Sequence, residues 1–265
     1  MRYLSCGAGP PLLLIHGLLG YSFSWRLNLK ALAQRRTVYA PDLVGAGFSE
    51  RPAKLDCTLR ANASRLARFL ELLGVANCDV LGTSYGGAIA IVLAAMLAEK
   101  EPGFLKRLIL VTPVNPWSSH GRLLTRVVGS RAGANLFRRV APYAQITHGY
   151  FLRRMYGDPR RITRGTLEGY SAPLAFPKAL DYGLKITSSW RTDMQELQSV
   201  LPTISDIPTL FLWGSRDRAV LPASAGEMRR HFRNSELIIF EGAGHLPYEE
   251  QPEEFNRAVL EFLAD

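Results

Sequence analysis

Short, uniformly apolar runs recur along the chain and are separated by longer segments with helical periodicity. Runs of this kind are typical of strands that are buried on both faces of a parallel sheet. A strand with one solvent-exposed face would instead alternate apolar and polar residues. We predict strands at residues 12–15, 37–40, 78–81, 108–111, 209–213 and 237–240. Strands that alternate with helices predict an α/β fold with a doubly wound, mostly parallel sheet.

Three of the segments between these runs carry clear helical signals. Residues 88–98 are almost wholly apolar, as expected for a helix packed deep against a sheet. In residues 60–73, one face of the predicted helix carries Leu66, Phe69, Leu70 and Leu73. Pro252, which is followed by two acidic residues, marks the start of a last amphipathic helix. These helices fit the same α/β architecture.

The alternation stops between residues 113 and 202. Short amphipathic pieces broken by glycine and proline take its place, which predicts a helical insertion. Ligands of an open α/β sheet bind beyond the carboxyl ends of the strands, so an insertion that leaves from such an end can cover the site. We therefore predict a core formed by residues 1–112 and 203–265 and a helical cap, or lid, formed by residues 113–202.

The composition fits one globular core and excludes several other classes. Of 265 residues, 47% are hydrophobic and 21% are charged. The longest apolar runs are too short to span a bilayer, so no stable membrane insertion is expected. Three widely spaced cysteines indicate neither a disulfide framework nor a zinc site. We expect a cytoplasmic protein, monomeric or homodimeric, with no metal and no cofactor.

The net charge of +9 is unevenly placed, with most of the excess in the predicted cap. No nucleic-acid-binding motif accompanies it, so no nucleic-acid partner is expected. The basic residues of the predicted cap include Arg122, Arg126, Arg138, Arg139, Arg153 and Arg154. Two interpretations stay open: these arginines attract anionic substrates or make weak contact with an anionic membrane surface, or they form an ordinary solvated surface.

The strongest local signal is the segment Gly82-Thr83-Ser84-Tyr85-Gly86. It is a GxSxG sequence between a predicted strand and an apolar helix, the context of a nucleophile elbow. A serine on so sharp a turn has a strained backbone, and the two glycines allow strand and helix to approach closely. We predict that Ser84 is a nucleophile; the alternative is a glycine-rich turn with an incidental serine.

A serine hydroxyl needs a base to accept its proton, and imidazole titrates in the right range. His245 lies in a loop between the last strand and the last helix, from which its side chain can reach over the carboxyl edge of the sheet. Asp217 follows the strand at 209–213 and can fix the imidazole tautomer. The alternatives are that His245 binds only backbone, and that Asp217 only caps a helix or pairs with Arg216 or Arg218.

The tetrahedral intermediate of acyl transfer needs hydrogen-bond donors for its oxyanion. We predict that the backbone N–H groups of Tyr85, next to the nucleophile, and of Leu18, in the turn after the strand at 12–15, supply them. His16 lies at the base of that turn, where a structural hydrogen-bonding role is expected.

Taken together, these motifs resemble the α/β-hydrolase family. The resemblance rests, in chain order, on the His16-Gly17 turn, the loop at 41–49, the elbow at Ser84, the WGSRD segment that ends at Asp217 and the GAGH segment that ends at His245. It covers almost the whole chain, and the order of serine, aspartate and histidine is the family's order. It implies an eight-stranded, mostly parallel sheet with a helical cap after the sixth strand. Because the chain begins close to the family's second strand, we expect seven or eight strands.

Within this resemblance, Ser84 indicates acyl transfer to water, because dehalogenases and epoxide hydrolases of this fold carry an aspartate at that position. We predict a carboxylic ester hydrolase that forms an acyl-enzyme with small to medium acyl esters. Carbon-carbon bond hydrolases of vinylogous diketone acids are the alternative, although they typically carry tryptophan where this chain has Leu246. A non-catalytic small-molecule receptor is a third reading. Tyr143, Phe151, Trp190 and Leu246 are predicted to line the substrate pocket.

Overall fold

The computed structural model describes residues 1–118, 133, 144–176 and 178–264, and its centre is one sheet. The strands are β1 (Tyr3–Cys6), β2 (Pro11–Ile15), β3 (Thr37–Pro41), β4 (Cys78–Thr83), β5 (Leu105–Val111), β6 (Thr209–Gly214) and β7 (Ser235–Phe240). Their order in the sheet is β1-β3-β2-β4-β5-β6-β7. β1 pairs antiparallel with β3, and the other neighbouring strands pair in parallel.

This sheet confirms the predicted α/β class and six predicted strands, with small shifts at their ends. β1 was not among the strands predicted from apolar runs. It lies at the edge of the sheet and alternates exposed with half-buried residues, so it contains no apolar run. Of the two strand numbers expected from the sequence, the described residues show seven.

The α-helices of the described residues flank the sheet on both faces. They are α1 (Leu29–Leu32), α2 (Leu59–Leu72), α3 (Tyr85–Lys100), α4 (Ala144–Met155), α5 (Arg164–Ser171), α6 (Asp181–Val200), α7 (Ala223–Arg229), α8 (Pro247–Glu250) and α9 (Pro252–Phe262). α3 is buried on nearly every side because it contacts β4 and β5 on one side and α2 and α6 on the other. This environment explains its almost wholly apolar sequence.

Two apolar layers hold the sheet, one on each face. Along β2, Leu13 and Ile15 belong to the layer that contains α3, whereas Leu12 and Leu14 belong to the layer that contains α9. All four side chains are fully buried. The period of two along a strand therefore directs apolar residues to both faces, which is why the strand sequences are uniformly apolar.

The segment between β5 and β6, residues 112–208, is called the insertion below. Its described residues form α4, α5 and α6 and short 3-10 turns. Leu197 and Val200 at the end of α6 are buried in the same layer as α3, so this end of the insertion is continuous with the core. The division into a core and a cap with the boundaries 113 and 202 stays a prediction.

The part of the chain that the structure describes contains no helix with the combined length and apolarity needed to cross a membrane.

Candidate active site

Ser84 lies at the carboxyl end of β4, directly before α3, in a backbone conformation that non-glycine residues rarely adopt. Its φ is 54° and its ψ is −120°. The Ser84 N–H donates to the Val111 carbonyl at 2.9 Å, and its carbonyl accepts from the N–H groups of Val114 and Gly87, both at 3.0 Å. These backbone hydrogen bonds to neighbouring elements keep the turn in its strained conformation, as expected of a nucleophile elbow.

The two glycines of the elbow are required by close backbone contacts. A Cβ atom at Gly86 would clash with the carbonyls of Ile15 and His16, and one at Gly82 would clash with the carbonyl of Gly86. The predicted reason for these glycines, the close approach of strand and helix, is confirmed.

Asp217 and His245 form the central polar contact of the site. His245 Nδ1 lies 2.8 Å from Asp217 Oδ2, and both residues are buried. The other carboxylate oxygen accepts from the N–H groups of Ala219 at 2.7 Å and Val220 at 3.0 Å. Because the carboxylate accepts, Nδ1 carries the proton and Nε2 is the basic nitrogen. Asp217 therefore fixes both its own loop and the imidazole, so it is more than a local cap.

The backbone of His245 is held by two other parts of the chain. Its N–H donates to the Met155 carbonyl, at the end of α4, at 2.6 Å. Its carbonyl accepts from Thr112 Oγ1, just beyond β5, at 3.3 Å. The insertion therefore helps to set the position of the histidine.

Glu250 joins the histidine loop to the insertion. Its buried carboxylate accepts from the backbone N–H groups of Gly244 at 2.6 Å, Gly157 at 3.0 Å and Asp158 at 3.1 Å. The sequence offered no signal for this role, because consecutive glutamates at the start of a helix normally face solvent.

Glu249 organises a second buried network beside the site. The guanidinium of Arg26 binds both of its carboxylate oxygens, at 3.0 and 2.9 Å, and the hydroxyls of Tyr156 and Tyr170 donate to the same carboxylate. Burial raises the pKa of the Tyr170 hydroxyl far above its usual value, so this group stays protonated and acts as a donor. The network connects α5 and α8.

Ser84 and His245 line one cavity of about 1000 Å³. Leu18 and Tyr85, the predicted oxyanion residues, line the same cavity. A Cβ atom at Gly17 would lie 3.1 Å from Ser84 Cβ, which shows how closely the turn after β2 approaches the elbow. Tyr85 is the first residue of α3, where an N–H group has no acceptor within the helix. Their role as oxyanion donors stays a prediction.

Of the four predicted pocket residues, Phe151, Trp190 and Leu246 line the cavity. Tyr143 lies outside the described residues. The other lining residues mix apolar side chains such as Leu18 with uncharged polar ones such as Gln198, although the surface exposed to the cavity is mainly apolar. Arg191 on α6 is the one charged side chain among the described residues that line the cavity. The sequence did not single out Arg191, because the direction of a helical side chain depends on how the insertion packs.

His16 is fully buried and has the structural role expected of it. Its Nδ1 lies 2.8 Å from the Gly17 carbonyl, and its Nε2 accepts from the Leu43 N–H at 3.0 Å. Burial lowers the pKa of this imidazole. Because Nδ1 donates to a carbonyl and Nε2 already accepts a backbone N–H, neither nitrogen is free to take a proton, so His16 is a poor candidate for the base.

The described residues contain no group of three or more histidines, cysteines and acidic residues arranged to hold a metal ion. That the protein needs no metal and no cofactor stays a prediction.

Comparisons with known proteins agree with the α/β architecture. The family model for the alpha/beta hydrolase fold matches residues 10–252. An uncharacterised protein of Mycobacterium tuberculosis is 32% identical over 268 residues, which cover 97% of this chain and 76% of the relative. The 2-hydroxy-6-oxo-2,4-heptadienoate hydrolase of Pseudomonas putida is 27% identical over 267 residues, covering 97% of this chain and 90% of that enzyme.

Among solved structures, a thermophilic esterase from Thermogutta terrifontis is 27% identical, with a TM-score of 0.80 over 99% of this chain and 92% of that chain. The Pseudomonas putida hydrolase and the Thermogutta terrifontis esterase bear the names of different reactions, so the similarity alone does not select one reaction for this chain. It does establish the lineage: the chain belongs to the α/β-hydrolase fold family, a hydrolase superfamily, as its motifs predict.

Proposed function

We propose that this chain is a carboxylic ester hydrolase in which Ser84 is the nucleophile, His245 the base and Asp217 the residue that orients the base. One observation carries the proposal. The imidazole of His245 is 2.8 Å from a buried carboxylate, and it lines the same cavity as a serine held in a strained elbow. A serine and an oriented imidazole at one cavity are what acyl transfer to water requires.

The first half of the reaction forms an acyl-enzyme. Ser84 Oγ attacks the ester carbonyl while His245 Nε2 takes the hydroxyl proton, and the Asp217 carboxylate stabilises the resulting imidazolium. The charge that develops on the carbonyl oxygen is accepted by the N–H groups of Leu18 and Tyr85, which contribute roughly 3 kcal/mol each. The imidazolium then protonates the departing alcohol.

The second half releases the acid. His245 takes a proton from a water molecule, the hydroxide attacks the acyl carbonyl, and Ser84 leaves as the proton returns to its oxygen. The enzyme ends unchanged, because the proton that left with the alcohol is replaced by one from water.

The cavity supports small to medium acyl esters as substrates. Its volume of about 1000 Å³ and its mostly apolar lining suit an acyl chain, with Phe151, Trp190 and Leu246 proposed as pocket walls. The similarity to the Thermogutta terrifontis esterase supports the same reaction class.

A panel of p-nitrophenyl esters graded by acyl length, together with a fluorophosphonate probe, tests the proposal. We expect hydrolysis and covalent labelling by the wild type, and loss of both in Ser84→Ala and His245→Ala. Ser64→Ala, at an exposed position on α2, is the matched control and keeps both. A folded wild type that is inert towards every ester, or labelling that survives in Ser84→Ala, contradicts the proposal. Specific labelling of Ser84 also excludes a non-catalytic receptor.

A second candidate is a carbon-carbon bond hydrolase of vinylogous diketone acids. Arg191 favours it, because a guanidinium at the cavity wall can pair with a substrate carboxylate. The Pseudomonas putida relative supports the same reading. Faster turnover of such an acid than of any ester, with a loss in Arg191→Gln that spares neutral esters, selects this candidate. Equal effects of Arg191→Gln on both substrate types exclude a carboxylate-binding role for Arg191.

The remaining proposals concern partners. We propose a small-molecule ester as the substrate, with no nucleic-acid partner and no stable membrane insertion, for a monomer or homodimer in the cytoplasm. Arg153 and Arg154 are exposed at the end of α4, which fits a weak contact with anionic surfaces. The other four arginines that could take part in that contact lie outside the described residues.

A further inference from the structure

His148 lies on the face of α4 that lines the cavity. The lining residues of this helix are His148, Phe151, Leu152 and Met155, which are spaced three, four and seven positions apart and so share one helical face. His148 is only 8% exposed. The imidazole is therefore a buried part of the cavity wall.

The Nε2 atom of His148 is buried and has no hydrogen-bond partner among the described residues. Burial lowers the pKa of this imidazole, so the ring is neutral near pH 7. A buried polar atom without a partner is costly, and such atoms in native proteins call for an explanation. In a cavity wall, the simplest explanation is a polar group on the ligand.

The hydroxyl of the neighbouring Tyr170 already donates its proton to another residue. The ring of Tyr170 lies 6.2 Å from the His148 ring, but the Tyr170 hydroxyl donates to Glu249 and lies 3.2 Å from Ser24 Oγ. Tyr170 therefore leaves the His148 nitrogen unsatisfied. Because Nε2 has less than 1 Å² of accessible surface, a turn of the imidazole ring is needed before a polar group on the molecule that the cavity binds can pair with it.

The same helix separates His148 from the residue that holds the backbone of the proposed base. The Met155 carbonyl binds the His245 N–H at 2.6 Å, so the end of α4 is fixed beside the proposed base. His148 precedes Met155 by seven residues, which is about 10 Å along a helix axis. A group that binds His148 thus lies several bonds away from the scissile carbonyl.

We propose that His148 is a specificity-determining residue that hydrogen-bonds an uncharged oxygen substituent, a hydroxyl or a keto group, on the substrate chain several carbons from the ester. The inference rests on the proposed ester hydrolase function and adds a substrate class to it: esters that carry such an oxygen in the acyl or the alcohol chain. A neutral imidazole suits a neutral oxygen, because an ionised group in an apolar cavity needs a countercharge.

Two series of esters of constant chain length test the proposal, with a single hydroxyl or keto group moved along the acyl chain in one and the alcohol chain in the other. At the matching position, the wild type is expected to show a kcat/KM about ten- to one-hundred-fold above that of the unsubstituted ester. In His148→Leu this ratio falls to about one, and the series that responds identifies which chain carries the oxygen. A ratio near one at every position in the wild type, or a ratio that His148→Leu leaves unchanged, overturns the proposal.

Thermal unfolding separates recognition from a structural role. His148→Leu removes a buried polar atom that lacks a partner, so we expect its Tm to equal or exceed that of the wild type. A clear loss of Tm indicates a structural histidine and overturns the proposal. Tyr150→Leu, on the exposed side of the same helix, is the matched control and leaves the substrate ratio unchanged.

A binding measurement keeps this inference separate from the proposed reaction. The products of hydrolysis are hydroxy or oxo acids and hydroxy or oxo alcohols. We expect them to raise the Tm of Ser84→Ala more than the Tm of the double variant that combines Ser84→Ala and His148→Leu. If no ester is turned over but the two Tm shifts differ in this way, the proposed ester hydrolysis is wrong and the recognition role of His148 stands. Equal shifts in the two proteins overturn the recognition role.

Discussion

Ser84 and Asp217 show how single residues prepare this site for chemistry. The elbow holds the serine at a φ of 54°, a conformation that costs about 1 to 3 kcal/mol and is maintained by backbone hydrogen bonds with four other residues. Asp217 uses one oxygen for two backbone N–H groups and the other for the imidazole. Both residues are positioned by backbone contacts, so their side chains need little rearrangement to act.

Asp217→Asn is expected to leave the fold intact and to lower kcat by roughly a thousand-fold or more, because the amide no longer selects the required tautomer of His245. Ester hydrolysis and thermal unfolding measured on the same preparation check this. Asp206→Asn, at an exposed ion pair with Arg233, is the matched control with unchanged kcat. A decrease in kcat of less than tenfold in Asp217→Asn would show that this carboxylate does not take part in catalysis.

Gly86→Ala is expected to lower the free energy of unfolding by several kcal/mol or to abolish activity, because the new Cβ meets the carbonyls of Ile15 and His16. Gly226→Ala in α7 has no atom within 4 Å of the added Cβ and should be neutral or stabilising. Chemical denaturation of both variants measures the contrast. Equal stability of the two would show that the elbow has more room than the contacts around Gly86 indicate.

At the scale of elements, the histidine loop and the insertion act as one unit. Glu250 accepts N–H groups from both, and the Met155 carbonyl accepts the N–H of His245. The insertion therefore does more than line the cavity, since it also positions the proposed base.

Glu250→Gln should reduce stability by about 1 to 3 kcal/mol, because a neutral amide replaces a buried carboxylate that accepts three backbone N–H groups. It should also lower kcat more than it raises KM, since the base loses its position. Glu253→Gln, at an exposed position in the first turn of α9, is the control without either effect. Should Glu250→Gln unfold and turn over like the wild type, the proposed link between loop and insertion fails.

The sheet and the elbow could be predicted from the sequence because local patterns determine them. Alternation along β2 buries residues on both faces, and the glycines around Ser84 report a close approach of backbone. β1 was missed because an edge strand with exposed residues carries no apolar run.

Other features of the site depend on contacts between distant elements and leave no local pattern. The burial of Glu249 and Glu250 results from the packing of α8 against α5 and against the residues that directly follow α4. The directions of His148 and Arg191 result from the rotation of α4 and α6 about their axes. Helical periodicity in these segments is too weak to determine that rotation, which explains why the pocket was predicted less completely than the proposed triad.

At the scale of the whole molecule, two buried histidines link stability to pH. Burial lowers the pKa of His16 and of His148 in the folded protein. The unfolded chain therefore binds more protons as the pH falls below the ordinary histidine pKa of about 6.5, and the folded state loses stability in that range.

Between pH 7.5 and 5.5, the free energy of unfolding is expected to decrease as the pH falls, by at most about 1.4 kcal/mol per pH unit for each histidine. Urea denaturation at several pH values measures this slope. His148→Leu should make the slope shallower, whereas Tyr150→Leu, which removes no histidine, should leave it unchanged. Stability that is constant or rises on acidification through this range would contradict the burial of both imidazoles as neutral groups.

The central claim is that Ser84 becomes acylated during ester hydrolysis, and the most direct test is acid-quenched mass spectrometry in the first milliseconds of turnover. The account predicts a burst of p-nitrophenol in step with a mass increase equal to the acyl group, mapped to the peptide that contains Ser84. Turnover with no acylated protein, or with the acyl group on a different residue, would contradict it.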